Sequence, residues 1–338
     1  MIMLKGLSVT CLVILLSFTS TIVKAQKKTK PFVWGINGHP LTQRDYSNNL
    51  DEQINAINDL GLTSYRFDVL LDKDGYAKKE PSFIEILNQL KKNNISALPA
   101  LMQSGLKSES VDSIYQAAYG QGKNFGIRYG DYLTVVEVNN EGDNKIRLRD
   151  NPGKAKQGAY DTEKAKRFIA GIKGFIDGLK SVRADIKVTL SVSYIHYYYL
   201  QLLKDNNVNY DIIGCHWYSN MGDITRVKPM NSNVLSFISQ SFNKPIWITE
   251  FNQFKGTTTV NFARQNEYIN QSIQKIIDQG IIGGFFIYEL FDQPSLKKRY
   301  PLEACYGLIY KDDLGQYTKK DAYQGYKQIV QYNSSAVH

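Results

Sequence analysis

Two glutamates, each just past an apolar, strand-like run, carry the most chemistry in this chain. Glu141 follows the run Tyr132–Asn139 through Asn140, and Glu250 closes Lys244-Pro245-Ile246-Trp247-Ile248-Thr249-Glu250. A carboxylate at the end of a Val/Ile-rich strand is held at the rim of a sheet by stiff backbone. Two of them, from strands far apart in sequence, face each other only if the sheet curls on itself. Such a pair is the minimal equipment for cleaving a glycosidic bond. One Asn-Glu at a strand end says little. Two Glu, ending the fourth and seventh of eight strand-like runs, say much more.

Those runs are Phe32–Asn37, Ser64–Leu70, Ile95–Met102, Tyr132–Asn139, Ile186–Ser193, Tyr210–Trp217, Pro245–Glu250 and Gly283–Leu290. Most are almost continuously apolar, as expected of parallel strands buried on both faces. Helical spacing fills the gaps. Ile54, Ile57 and Leu60 recur on one face of Asp51–Leu60 and stop at Gly61. Phe83, Ile86, Leu87 and Leu90 repeat the pattern, as does Phe168 to Leu179. Tyr268 to Ile277 precedes a stop at Gly280, and Tyr323–Val330 gives a closing helix. Eight β-then-α units without a linker predict an α/β chain of one domain, a closed (β/α)8 TIM barrel over residues 26–338. Gly142–Tyr160 shows little periodicity and is expected to be a rim loop walling the cleft.

Other chemistries lack their residues. The first strand leads into Gly35-Ile36-Asn37-Gly38-His39-Pro40, with no third glycine or helix start for a dinucleotide phosphate. Histidines are few, and neither His-x-His nor His-Glu-x-x-His occurs, so no metal and no cofactor are expected. There is no Gly-x-Ser-x-Gly turn and no Asp-x-x-Asp-x-Asp-x-Glu strand.

Residues 1–25 read as a secretory signal peptide: Lys5, an apolar stretch through Cys11–Leu16, then Val23-Lys24-Ala25. Ser17, Thr19, Ser20 and Thr21 interrupt the apolar run, which disfavours a membrane anchor, so secreted or periplasmic export without stable membrane insertion is expected. Processing would remove Lys5 and Lys24, lowering the formal net charge of +9 by two. The remaining basic pairs are scattered along the chain, as solvated faces rather than a nucleic-acid track. Cys215 and Cys305 would survive processing, too few for a disulfide framework.

The motifs together resemble the clan A retaining glycoside hydrolases, the barrel enzymes that include cellulase-like and family 39-like members. The resemblance is carried by Asn140-Glu141, by Ile248-Thr249-Glu250, by His216-Trp217-Tyr218 at the sixth strand and by Arg66 in the second. Gly307-Leu308-Ile309 before the last helix adds to it. It implies Glu141 as acid/base and Glu250 as nucleophile, Asn140 bonding a sugar hydroxyl, Arg66 and Tyr218 orienting the nucleophile, and His216 lining the site. Many members end strand eight with a sugar-stacking tryptophan, where this chain has Tyr288-Glu289. Tyr288 is expected to take that platform role, with Trp34 and Trp217 as further platforms, and Glu289 or Asp292 to bond hydroxyls. A negative Glu250 is expected to raise the pKa of Glu141 and keep it protonated. The expected activity is cofactor-free hydrolysis of a β-linked polysaccharide or oligosaccharide by a monomer. A non-catalytic carbohydrate-binding barrel and a transglycosylase using the same pair are the alternatives. Lys154, Lys156, Lys297, Lys298 and Arg299 would favour an acidic polymer only if they faced the cleft.

Overall fold

The computed structural model describes residues 32–107, 110–148, 157–229 and 231–335. The expected leader, Lys154 and Lys156 lie outside them. Eight parallel strands close into a barrel in chain order: β1 Val33–Gly38, β2 Ser64–Leu70, β3 Ser96–Met102, β4 Val135–Val138, β5 Lys187–Ser193, β6 Ile212–Tyr218, β7 Ile246–Asn252 and β8 Ile282–Ile287. The expected (β/α)8 barrel is therefore the fold. Outside it run α1 Leu50–Asp59, α2 Glu80–Lys92, α3 Val111–Tyr129, α4 Gly142–Ile146, α5 Thr162–Val182, α6 Tyr198–Asp205, α7 Val234–Phe242, α8 Phe262–Ile277 and α9 Asp321–Ser335. A hairpin, β9 Ile309–Lys311 with β10 Tyr317–Lys319, precedes α9. No helix among the described residues is long and apolar enough to cross a membrane.

Two packing layers hold the barrel. The outer one joins strands to helices: Ile54 and Ile57 of α1, Ile169, Phe175 and Leu179 of α5, and Ile269, Ile273 and Ile276 of α8 are all buried there. Each such side chain contributes about 1.5–3 kcal/mol on leaving water. Inside the barrel a separate cluster of Leu98, Val135, Ile212 and Phe286, with Val33 and Trp247 against it, fills the lower end. A Cβ on Gly35 would lie 2.2 Å from the Phe286 ring, so only glycine leaves this plug its space. Above the plug the lining turns polar, and the site lies there.

α3 and α5 meet backbone to backbone. A Cβ on Gly122 would lie 1.9 Å from the Phe175 carbonyl oxygen, and one on Gly178 2.0 Å from that of Tyr119. This contact explains why α3 shows no clear apolar stripe: glycines occupy the face that large residues would otherwise mark.

The segment Gly142–Tyr160 departs from the loop expected of it. Its first five residues form α4, capped at its C-terminal end by the Arg147 N–H bonding to Asp143 O at 3.2 Å. β4 is also shorter than Tyr132–Asn139, because Gly130–Tyr132 forms a 3-10 turn.

Candidate active site

Neither glutamate reaches the barrel mouth by simple strand alternation. On β7, Trp247 points into the barrel plug, while Ile248 and Phe251 belong to the outer layer. Period-two alternation would then turn Glu250 outward. The pairing with β6 jumps from Cys215↔Ile248 to His216↔Glu250, so Thr249 is an extra residue. That bulge re-aims Glu250 inward, a common use of bulges beside active sites. Glu141 leaves β4 with a left-handed backbone, φ 47° and ψ 55°, and donates its N–H to Ser191 Oγ at 2.9 Å.

The two carboxylates converge on His216. Its Nδ1 lies 3.0 Å from Glu141 Oε1 and 3.4 Å from Glu250 Oε2. One donor atom from each of the three residues lies within 4.8 Å of the others. Glu141 Oε2 also accepts from Asn144 Nδ2 at 2.9 Å. Glu250 is held on both oxygens, by Arg66 Nη1 at 2.8 Å and by the Tyr218 hydroxyl at 2.6 Å.

Arg66, only 3% exposed, organises the floor. It grips Glu137 with two bonds, Nε at 2.7 Å and Nη2 at 2.8 Å, and donates to Asn37 Oδ1 at 2.6 Å and Asn140 Oδ1 at 2.9 Å. Burial alone would lower its pKa, but the Glu137 and Glu250 carboxylates beside it raise it well above the usual value. Arg66 pairs with Glu137 and Glu250, and Asp68 instead bonds His39, Oδ2 to Nδ1 at 2.9 Å.

The expected ionisation of Glu141 is reversed. Burial pushes its pKa up, but hydrogen bonds from His216, Asn144 and the Ser193 hydroxyl, with the nearby imidazolium charge, bring it down to about 2. His216 moves the other way: burial opposes its charge, and the carboxylates of Glu250 and Glu141 raise its pKa nonetheless. His216 Nδ1 stands between the two acids, and both carboxylates favour the charged ring. The trio has the composition of a cation site, yet Arg66 already supplies a positive charge to Glu250.

These groups open into a cleft of about 390 Å³ lined by Asn140, Glu141, Tyr218, Glu250, Tyr288 and Glu303, among others. Tyr288 packs edge-on against His39, Tyr218 and Tyr306, with centroids at 5.7, 6.2 and 5.4 Å. Trp34 and Trp217 do not reach the cleft. Trp34 is buried against Phe32 and Tyr326, and Trp217 is buried against Tyr194 with its Nε1 donating to Gly222 O at 2.7 Å. The expectation of a platform from either is corrected: both are core. Glu289 is fully buried, accepting from Tyr46 and Gln293, and Asp292 pairs with Lys320 at 2.7 Å. Neither offers itself to a hydroxyl. Lys297, Lys298 and Arg299 are exposed and line no part of the cleft.

Sequence reading missed Glu137, His39, Asp68 and Glu303. Glu137 is hidden inside an apolar run. His39 lies between Asp68 and Glu289, whose Oε2 is 3.3 Å from Nε2. Burial works against its charge, but these two acids raise its pKa to about 10.

Comparison with known proteins bears on the fold. Residues 155–301 match the model of the family described as glycosyl hydrolase catalytic core. That stretch, a little under half of the chain, lies on the (β/α)8 barrel described above. Among solved structures it is similar to the β-glycosidase BGL167, at 15% identity and TM-score 0.62, covering 89% of this chain and 96% of that one. A family 39 glycoside hydrolase from Bacteroides cellulosilyticus WH2 gives 16% identity and TM-score 0.65, covering 89% of this chain and 63% of that one. A β-glucosidase from Thermotoga maritima gives 14% identity and TM-score 0.64, covering 90% and 98%. At such identities the likeness is one of fold. Comparison with curated protein sequences gives no match.

Proposed function

We propose that the protein is a secreted retaining β-glycosidase acting on a β-linked polysaccharide or oligosaccharide, with Glu250 as nucleophile and Glu141 as acid/base. The observation that carries the reading is the spacing of the two carboxylates, with oxygens within 4.8 Å. Retention needs carboxyl groups about 5–5.5 Å apart, whereas inversion leaves about 6.5–9.5 Å for a water. The β-glycosidase and β-glucosidase barrels of similar fold support the β-configuration.

In this reading Arg66 and Tyr218 fix Glu250 ionised and aimed at the anomeric carbon. Glu250 attacks, and the bond to the leaving oxygen breaks as Glu141 protonates it. The proton comes from the Glu141–His216 pair: substrate that displaces water around Glu141 favours its neutral form, drawing the proton from Nδ1. Water then attacks the glycosyl-enzyme with Glu141 as base, and Glu250 leaves. Asn140 has its carbonyl on Arg66, so its amide nitrogen is the end for a sugar hydroxyl. Tyr288 stands as the ring platform.

A 2-deoxy-2-fluoro-β-glucoside with a dinitrophenyl leaving group tests this. The adduct should map to Glu250 by mass spectrometry, and NMR should show a β-anomer as first product. An adduct elsewhere, or an α-anomer first, would sink the assignment. Export is tested by sequencing the mature N-terminus, expected at Gln26.

A further inference from the structure

Beside the cleft, on the other side of the β4 end, lies a second cavity of about 390 Å³. Asn139 lines this cavity while Asn140 and Glu141 line the cleft, so the two hollows share one stretch of backbone. Its wall carries Lys107 from the loop after β3, Lys145 from α4, and Lys164 and Arg167 from α5, with Phe168 among them.

Among the described residues none of these four cations is in a salt bridge with a carboxylate. The nearest acids on α5 are occupied: Asp161 caps the helix by accepting from the Lys164 N–H, and Glu163 pairs with Lys166 at 2.7 Å. Some lysines elsewhere on the barrel are matched, as Lys180 with Asp211 and Lys327 with Asp59. Lys297, Lys298 and Arg299 are exposed and line neither hollow. Four cations on one concavity raise the local potential for an anion, although Lys145 also donates to Asn139 Oδ1 at 3.4 Å and feels the Glu141 carboxylate. Phe168 is half-buried, with Lys145 Nζ 5.9 Å from its ring centre, and gives a sugar face something to pack on. An aromatic surface ringed by cations suits a sugar that carries a negative charge.

We infer that this cavity is a subsite for an anionic sugar residue of the substrate, carboxylated or sulfated, next to the cleavage point. The inference rests on the glycosidase reading and adds the substrate class to it.

The test uses the full chain carrying Glu250→Gln, so that ligand is not consumed, and isothermal titration at about 20 mM salt, where screening is weak. Three probes share one backbone: cellotetraose, the β-1,4-linked glucuronic acid tetramer, and 6-O-sulfated cellotetraose. At least one anionic probe should bind about tenfold or more tightly than cellotetraose, and whichever does names the carboxylate or the sulfate. Lys164→Gln with Arg167→Gln, both at exposed positions, should abolish that preference, whereas Lys297→Gln with Lys298→Gln should keep it. Equal binding of neutral and charged probes overturns the inference, as does a preference that survives the Lys164/Arg167 change. Turnover by the unmutated chain, measured separately, distinguishes the two failures. Hydrolysis of neutral aryl β-glycosides without anionic preference removes only the subsite. Anionic preference without turnover of any probe removes only the glycosidase.

Discussion

Replacing Arg66 by methionine should separate what holds the floor of the barrel from what drives the reaction. The guanidinium is 3% exposed and makes a two-bond pair with Glu137, which is fully buried. Removing one partner of a buried ion pair costs about 3–5 kcal/mol, because the other charge is left without compensation. A count by bonds agrees: two charge-assisted bonds at about 1.5–3 kcal/mol each give about 3–6 kcal/mol. Arg66→Met should therefore lose about 3–5 kcal/mol in urea denaturation followed by tryptophan fluorescence. Adding Glu137→Leu removes the orphaned charge, so the double variant should regain at least about 2 kcal/mol. Activity should not return with it, since Glu250 still lacks its 2.8 Å partner. Loss of one charge-assisted bond to the nucleophile corresponds to about 10- to 150-fold in kcat/KM on an aryl β-glycoside. A stability loss below about 1 kcal/mol, the range of exposed pairs, would refute the reasoning. So would recovery of activity in the double variant.

Glu250→Gln should abolish turnover, and Glu141→Ala should be rescued by azide with release of a β-glycosyl azide; unchanged rates in either variant count against the site. Gly122→Ala should destabilise the fold by about 1–3 kcal/mol, because the new methyl would meet the Phe175 carbonyl and force α3 and α5 apart; an unchanged urea midpoint would contradict that contact. Folded His39 keeps its proton up to about pH 10, while an unfolded histidine releases it at its ordinary value of 6.5. The native state thus binds more protons across that window, and its stability is full below it and falls as pH rises through it. His39→Gln should flatten that slope in denaturation midpoints, and an identical slope would remove His39 as its source.

The barrel was readable in the chain because parallel strands buried on both faces leave apolar runs, and eight of them alternate with helical spacing. Both cleft glutamates were visible because they follow such runs. What was not visible depends on closure. Glu137 sits inside Val135–Val138 and looks like an interruption until β2 brings Arg66 across to it. His39, Asp68 and Glu289 follow or belong to β1, β2 and β8, which come together only when the barrel closes around β1. The bulge at Thr249 leaves no sequence signal at all, since Ile246–Asn252 reads as ordinary strand. The tryptophans misled for a simple reason: a large ring in an apolar run packs outward against helices as readily as inward toward ligand. α3 escaped notice because its contact face is glycine.

The left-handed backbone of Glu141 marks a position where fold and chemistry want different residues. A side chain with a Cβ sits there at a cost of about 1–2 kcal/mol, which glycine would not incur. Glu141→Gly would lift that backbone cost but would also remove the proton donor and the bonds that Glu141 makes to His216 and Asn144. Strain and catalysis are thus tied to one residue, so stability screens of this barrel should retain an activity readout at every round.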